Sequence, residues 1–213
     1  MFADREDAGR RLADLLDGRD ETADLVLAIP RGGLPVGREV ADRLRAPLDV
    51  VVATKVGAPD NPELAVGAVA GDGSAWWNED LLSYLDVGDD YLDREREREV
   101  EAVREKVSLY RGGDPLPDVV EKRVVVVDDG VATGATARAC LRQVVAGGAE
   151  RVVLAVPVGP PHTLSELEAE CDAVVAVESP EAFGAVGAFY RDFAQVSDEE
   201  AASYLRDGAG AEP

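Results

Sequence analysis

At 213 residues and 46% hydrophobic content, the chain is long enough to bury one sizeable core. Its net charge of −21, from 43 acidic and 22 basic side chains, argues against nucleic acid as the principal partner: phosphates are repelled, and no basic stripe with interleaved aromatics is present. No apolar run is long enough to span a membrane, and no basic start leads into a hydrophobic signal region, so a cytoplasmic protein without membrane contact is expected.

The first predicted element is an amphipathic helix over residues 2–16, with Phe2, Ala8, Leu12, Leu15 and Leu16 near helical spacing. Residues 25–29 follow as a buried strand that runs straight into Pro30, Arg31, Gly32 and Gly33, and a helix is predicted over about 34–44. Two glycines let backbone approach an anion closely, and Arg31 supplies a fixed fork of donors. Residues 49–55 read as one strand ending at Lys55, one of three lysines beside Lys106 and Lys122. Open α/β sheets bind ligands at the carboxyl ends of their strands, so 53–55 should share a rim with Arg31 and Asp128; the alternative for Lys55 is a pair with a local carboxylate. Residues 57–63 are rich in breakers and read as a loop. Residues 65–70 and 74–77 are expected to form a small hairpin around Gly71, Asp72 and Gly73.

A long helix is predicted over 89–111, with Val100, Val103, Val107 and Tyr110 in one apolar stripe and Arg94–Glu97, Arg96–Glu99 and Arg98–Glu101 paired at i,i+3. Its charge run is expected to mark a solvated face, with subunit contact as the alternative. The most informative stretch comes next. Val124 to Val127 are four β-branched residues without alternation, the pattern of a parallel strand buried on both faces. Asp128, Asp129 and Gly130 follow, then a small-residue loop with Thr133, Gly134 and Thr136, and a helix over 135–146 whose start offers free N–H groups and a positive dipole end to a phosphate. On an extended strand the two aspartates would point to opposite faces, so only the turn at Gly130 lets both reach one ligand. Gly134 is followed by Ala135, so the lysine of a Walker loop is missing, and Gly130 and Gly134 are four apart, which breaks the dinucleotide fingerprint.

Two further buried strands are predicted at 152–156 and 173–177. Beyond them lie Phe183, Phe189, Tyr190 and Phe193, and Ser197 with Glu200 has the form of a capping box. The sole histidine, His162, sits in a proline-rich segment and reads as a loop or helix-start residue; Cys140 and Cys171 read as buried thiols.

The run from Val124 to Thr136 resembles the phosphoribosyl-pyrophosphate (PRPP) motif of type I phosphoribosyltransferases, and Pro30 to Gly33 looks like that family's pyrophosphate loop. The resemblance implies a mostly parallel α/β sheet flanked by helices, with a hood from terminal segments. On this reading residues 1–207 form a single domain: a core of about 25–177, a helical insertion of about 78–113, a hood from about 1–20 and 178–207, and a disordered tail at 208–213. Carried over residue by residue, Asp128 and Asp129 hold the ribose hydroxyls, while Ala132, Thr133, Gly134, Ala135 and Thr136 wrap the 5-phosphate. Arg31, Gly32, Gly33 and Lys55 take up charge on the pyrophosphate, the Pro30–Arg31 bond is cis, and residues 56–63 form a mobile lid. Phe183 is the candidate for stacking on the acceptor, with packing inside the hood as its alternative.

The implied activity is transfer of phosphoribose from PRPP to a small-molecule acceptor nitrogen, a nucleobase for preference, with a homodimer as the expected assembly. The alternative is a PRPP or nucleotide sensor on the same fold; Arg31, Lys55 and a complete lid favour the enzyme. An acidic protein must bind a trianionic sugar phosphate, so Mg2+ on the pyrophosphate is expected, held by substrate and water rather than by protein ligands. The acidic excess and scarcity of lysine also suggest a cytosol of molar salt. A melting temperature that rises with potassium chloride concentration is therefore expected; a melt indifferent to the salt would contradict it.

Overall fold

The computed structural model describes residues 1–206, apart from the Glu63 side chain; the hood boundary at Asp207 and the tail from Gly208 lie outside the described residues. The core is a five-stranded, all-parallel sheet. Its strands are β1 (Leu25–Ala28), β2 (Leu48–Val50), β6 (Arg123–Val127), β7 (Arg151–Val158) and β8 (Ala173–Glu178), in the order β2-β1-β6-β7-β8. The lack of alternation in β6 follows from burial on two faces. Val124 and Val126 pack on the α5 side (Ala135–Ala146) with Leu141 and Val144. Val125 and Val127 pack against α1 (Arg5–Asp17) and α2 (Gly33–Leu44) with Leu12, Leu16 and Val36.

Sequence order runs outward from the middle of this sheet: β1 leads to β2 on one side, and β6 leads to β7 and β8 on the other. The crevice between the carboxyl ends of β1 and β6 is thus the topological switch point where open α/β sheets hold ligands. Ala28 is in register with Val127, so the loops beginning at Ile29 and Asp128 leave the sheet side by side.

The strand expected over 49–55 is two strands in two sheets. The chain leaves β2 after Val50 and enters β3 (Ala53–Ala58), which pairs antiparallel with β4 (Asn61–Ala70), itself paired with β5 (Ala75–Trp77). Valine-rich sequence is silent about such a switch, because both strands bury the same kind of side chain. Lys55 consequently lies within β3, opposite Ala68, and not at the carboxyl end of a parallel strand. The breaker-rich segment 57–63 is also not an extended loop. It is the tip of the β3–β4 hairpin, where Ala58 pairs with Asn61 across a turn at Pro59 and Asp60, and the register slips between Val56 and Ala58. That irregularity accommodates Pro62, which cannot donate to a ladder, and Gly57, where a Cβ would stand 2.7 Å from Pro62 Cα. The β4–β5 hairpin forms as expected, with Gly73 at φ +82 and Asp72 Oδ1 accepting from Ser74 N at 2.9 Å.

Between β5 and β6 lie α3 (Glu79–Leu85) and α4 (Asp89–Arg111). The stripe Val100, Val103, Val107 and Tyr110 packs with Val50, Val52 and Val56, so α4 lies against the second sheet. Its ion pairs differ from the expected set. Arg98 meets Glu95 at 2.5 Å and Glu99 at 2.9 Å, Glu101 meets Arg104 at 2.5 Å, and Arg96 donates to Gly73 O. Long charged side chains choose among several neighbours at i+1, i+3 and i+4, and packing decides between them.

After β7 comes α6 (Pro161–Leu167), which carries exposed His162 near its start. Cys140 is buried in α5; Cys171 is only half-buried, short of the expectation. Ser197 Oγ accepts from Glu200 N at 3.2 Å at the head of α7 (Asp198–Arg206). At the other end, α1 starts later than predicted. Asp4 caps it by accepting from Asp7 N at 2.7 Å, and fully buried Phe2 leaves the helix to bridge Tyr190 of the hood. No helix among the described residues is long and apolar enough to cross a membrane.

Helices α1 and α2 cross at Gly9, where a Cβ would stand 2.9 Å from Glu39 Cβ and 3.0 Å from Val36 Cα. Gly9→Val is expected to destabilise the fold by about 1–3 kcal/mol through overpacking at this crossing, measured by chemical denaturation; unchanged stability would show that the helices part freely.

Candidate active site

The switch-point crevice is built by two turns pressed together. Ile29 N donates to Val127 O at 2.8 Å, and Gly33 N donates back to Ile29 O at 3.0 Å, so the loop curls over the end of β6. The Pro30–Arg31 peptide bond is cis, as the resemblance implies. A Cβ on Gly32 would stand 2.0 Å from Asp129 Oδ2, and one on Gly33 would stand 2.7 Å from Val127 O. The paired glycines are therefore required by the contact between the loop and the aspartates themselves, in addition to any approach to an anion. Gly130 completes the turn in a narrow space, since a Cβ there would stand 2.6 Å from Val186 Cγ1 of the hood.

The aspartates form one unit. Asp129 N donates to Asp128 Oδ1 at 2.8 Å, and Asp129 Oδ2 accepts from Arg5 Nε at 2.7 Å. The hydroxyl of Tyr190 donates to Asp129 O at 2.6 Å. Burial, with the neighbouring Asp129 charge added, pushes the Asp128 carboxyl well above the ordinary carboxylate range. Burial also raises Asp129, but there Arg5 opposes it. Both carboxyls are thus raised, Asp128 further than Asp129.

The loop after Gly130 ends at Gly134, whose φ of +74 sets the left-handed turn into α5. Thr163 of α6 braces it: Thr163 Oγ1 donates to Ala132 O at 2.9 Å, and its methyl carbon would stand 2.9 Å from a Cβ on Gly134. Ala132 and Thr133 are exposed, Ala135 is buried and Thr136 is half-buried. The first turn of α5 carries no acidic side chain and no side-chain cap, which leaves its N–H groups to an anion.

A cavity of about 780 Å³ opens over this floor. Pro30, Gly32, Asp128, Asp129 and Thr136 line one side, and Thr54 and Lys55 of β3 line another. The third wall is α4, through Tyr91, Glu95, Glu99 and Lys106. Tyr91 OH donates to Gly57 O at 2.8 Å and ties this helix to the hairpin tip. The face expected to be merely solvated is thus part of the site. Lys106 offered the same signal that singled out Lys55, its rarity. Arg5 offered none, because an arginine among acids at a helix start is ordinary.

Arg31 does not line this cavity. It lies 3.6 Å from Asp198, which also accepts from Tyr110 OH at 2.8 Å, and it faces a second hollow of about 590 Å³ that Lys106 shares. Burial holds the Lys106 ammonium below the ordinary lysine range. Phe183 stacks on Phe189 with ring centroids 5.1 Å apart, in a cluster with Phe2, Val158 and Tyr190, and is not among the residues lining the cavity.

A sequence profile described as phosphoribosyl transferase domain matches residues 3–194. Two Mycobacterium tuberculosis proteins named "Putative phosphoribosyl transferase" are 44% identical to this chain over 206 residues, 96% of its length and 46% of theirs. The chain thus spans about half the length of these curated relatives. The crystal structure of TT1426 from Thermus thermophilus matches with a TM-score of 0.82 and 44% identity, covering 99% of this chain and 100% of that one. The AQ2163 protein from Aquifex aeolicus matches in fold alone, with a TM-score of 0.50 and 14% identity over 86% of this chain and 76% of its own. The profile match over most of the chain, and the 44% identity carried along the full length of a solved structure, agree with the turns at Gly32 and Asp128: the chain belongs to the phosphoribosyl transferase domain family.

Proposed function

We propose that the protein transfers the 5-phosphoribosyl group of PRPP to an acceptor nitrogen, a nucleobase for preference, and releases pyrophosphate. The observation that carries the reading is the meeting of the Gly32 loop, the Asp128–Asp129 pair and the start of α5 around one cavity. The 5-phosphate sits on residues 132–136, where backbone N–H groups and the hydroxyls of Thr133 and Thr136 donate to it. The ribose hydroxyls meet the acid pair. Asp129, held by Arg5, and Asp128, raised further by burial, lie side by side and suit two neighbouring hydroxyls.

As the acceptor lone pair approaches C1, the bond from C1 to the pyrophosphate oxygen breaks and positive charge spreads over the ring. The Asp129 carboxylate stabilises that charge, and Lys55 and Lys106 on the facing walls, with Arg31 behind the loop, stabilise the leaving anion. Closure of residues 56–63 over the open cavity would exclude water that otherwise hydrolyses PRPP. The cavity lining carries no thiolate or imidazole, and Glu95 and Glu99 on the facing wall are paired with Arg98; Mg2+ would enter with the pyrophosphate, held by its oxygens and by water. When bound with pyrophosphate it neutralises charge on the leaving group.

One observation favours the second reading, a PRPP or nucleotide sensor without transfer. Arg31 is engaged by Asp198 and does not line the main cavity, so it would have to leave Asp198 to reach a pyrophosphate there. Incubation with PRPP, Mg2+ and a panel of purine and pyrimidine bases, following pyrophosphate release, separates the two. Release with one base is expected; PRPP binding without release for any acceptor would favour the sensor. Asp129→Ala is expected to weaken PRPP binding by about 10- to 100-fold in calorimetry, the effect of one charge-assisted hydrogen bond; unchanged affinity would remove Asp129 from the site. Gly32→Ala is expected to fold and to lose about tenfold or more in PRPP affinity, because its methyl group displaces the Asp129 carboxylate; wild-type affinity would contradict this.

A further inference from the structure

We propose that Arg5 is a positioning residue for the reaction: its guanidinium fixes Oδ2 of Asp129, leaves Oδ1 to meet a ribose hydroxyl, and ties the hood to the site. The proposal rests on reading Asp129 as a ribose-binding group. Two segments far from Arg5 in sequence, the turn at Asp129 and the hood at 193–194, converge on this one side chain. Arg5 Nε donates to Asp129 Oδ2 at 2.7 Å, Nη1 donates to Ala194 O at 2.7 Å, and the guanidinium lies 3.9 Å from the ring centroid of Phe193. One edge of the planar fork serves the carboxylate, another donor serves the hood backbone, and the face serves an aromatic ring, a set of contacts that lysine cannot reproduce.

The pair is also unlike the chain's peripheral ion pairs. Arg43 lies exposed beside Asp14 and Asp17, whereas the Arg5 and Asp129 side chains are only 12% and 14% exposed. Buried ion pairs are weak sources of stability, because desolvation offsets most of the attraction, so geometry is the better account of this one. The anchorage is completed from the hood by Tyr190, whose hydroxyl donates to Asp129 O and whose ring lies 4.9 Å from that of Phe193. The segment 190–194 is thereby fastened to Asp129 twice, once through Tyr190 and once through Arg5.

The groups facing Asp129 are Arg5 from α1, Asp128 on its own turn, the Tyr190 hydroxyl from the hood and the backbone of Gly32 from the opposite loop; Glu178 at the end of β8 acts on Tyr190. Among the described residues facing Asp129, Arg5 is the cation. Burial raises the Asp129 carboxyl and Arg5 opposes the rise, so a neutral residue at position 5 lets the carboxyl protonate at a higher pH. Ligand affinity then falls most at the acid end of the range and recovers as pH rises.

The test measures binding of ribose 5-phosphate and PRPP by calorimetry from about pH 5.5 to about pH 8.5, for wild type, Arg5→Gln and Arg5→Lys. A carbon-13 NMR titration of the Asp129 carboxyl, assigned with Asp129→Asn, accompanies it without ligand. Arg5→Gln should lose about tenfold in affinity at the acid end and progressively less at the alkaline end, with the Asp129 midpoint moved up. Arg5→Lys should keep the wild-type pH profile at an affinity reduced throughout. A merely structural role would lower the melting temperature and leave the profile and the midpoint in place, which would overturn the proposal. If Arg5→Gln does not fold, Arg5→Lys still decides, since wild-type affinity in that variant would refute the need for the fork. Failure of the wild type to bind either ligand would overturn the ribose reading, while the NMR titration would still decide whether Arg5 governs Asp129.

Discussion

The parallel pairing of β1 with β6, which sets Ala28 against Val127, is the contact on which the site depends. Because the two strands are neighbours with opposite onward directions, neither following loop is covered by a crossover from the other, and both open onto the same crevice. The valines of β6 are buried on both faces, and a slip by a residue would carry Arg123 or Asp128 into that apolar run, so the aspartates are fixed at its end. Packing energy in the sheet is thus converted into placement of two carboxyl groups against a glycine loop.

Electrostatics sets a second condition. The protein carries a large negative charge, and the ligand proposed for its cavity is itself a phosphorylated anion. Cations gather around that cavity from separate elements: Lys55 from the hairpin, Lys106 from α4 and Arg5 behind the acid pair, with Arg31 on the far side of the loop. A local field of this kind, in a partly desolvated space, outweighs a global charge that is screened by solvent and salt. The acid pair itself is moderated by burial and by Arg5, so it repels an approaching phosphate less than two free carboxylates would.

Much of this was legible in the sequence where local chemistry and tertiary role coincide. Helix α5 spans Ala135–Ala146 and helix α4 spans Asp89–Arg111, as their periodicity and terminal residues predict. The loop of Pro30 to Gly33 and the run from Asp128 to Thr136 announced themselves through glycine, threonine and paired acids. What was hidden depended on partners distant in sequence. The break between Val50 and Ala53 is a change of sheet, invisible in a run of apolar residues. The hairpin tip at Pro59 looked like a loop because proline and glycine mark irregular pairing as readily as the absence of pairing. Phe2 looked helical by spacing but is drawn out of α1 to cover Tyr190, and Arg5 acquires its role only because residues 193 and 194 return to it.

The central claim is that the loop after β1 and the turns after β6 act as one binding site. An amide-resolved NMR titration with PRPP tests it most directly. The account predicts that the amides of Gly32, Gly33, Gly134 and Thr136 shift together along one saturation curve with a single dissociation constant. Shifts confined to one of the two segments, or curves with different midpoints, would contradict it.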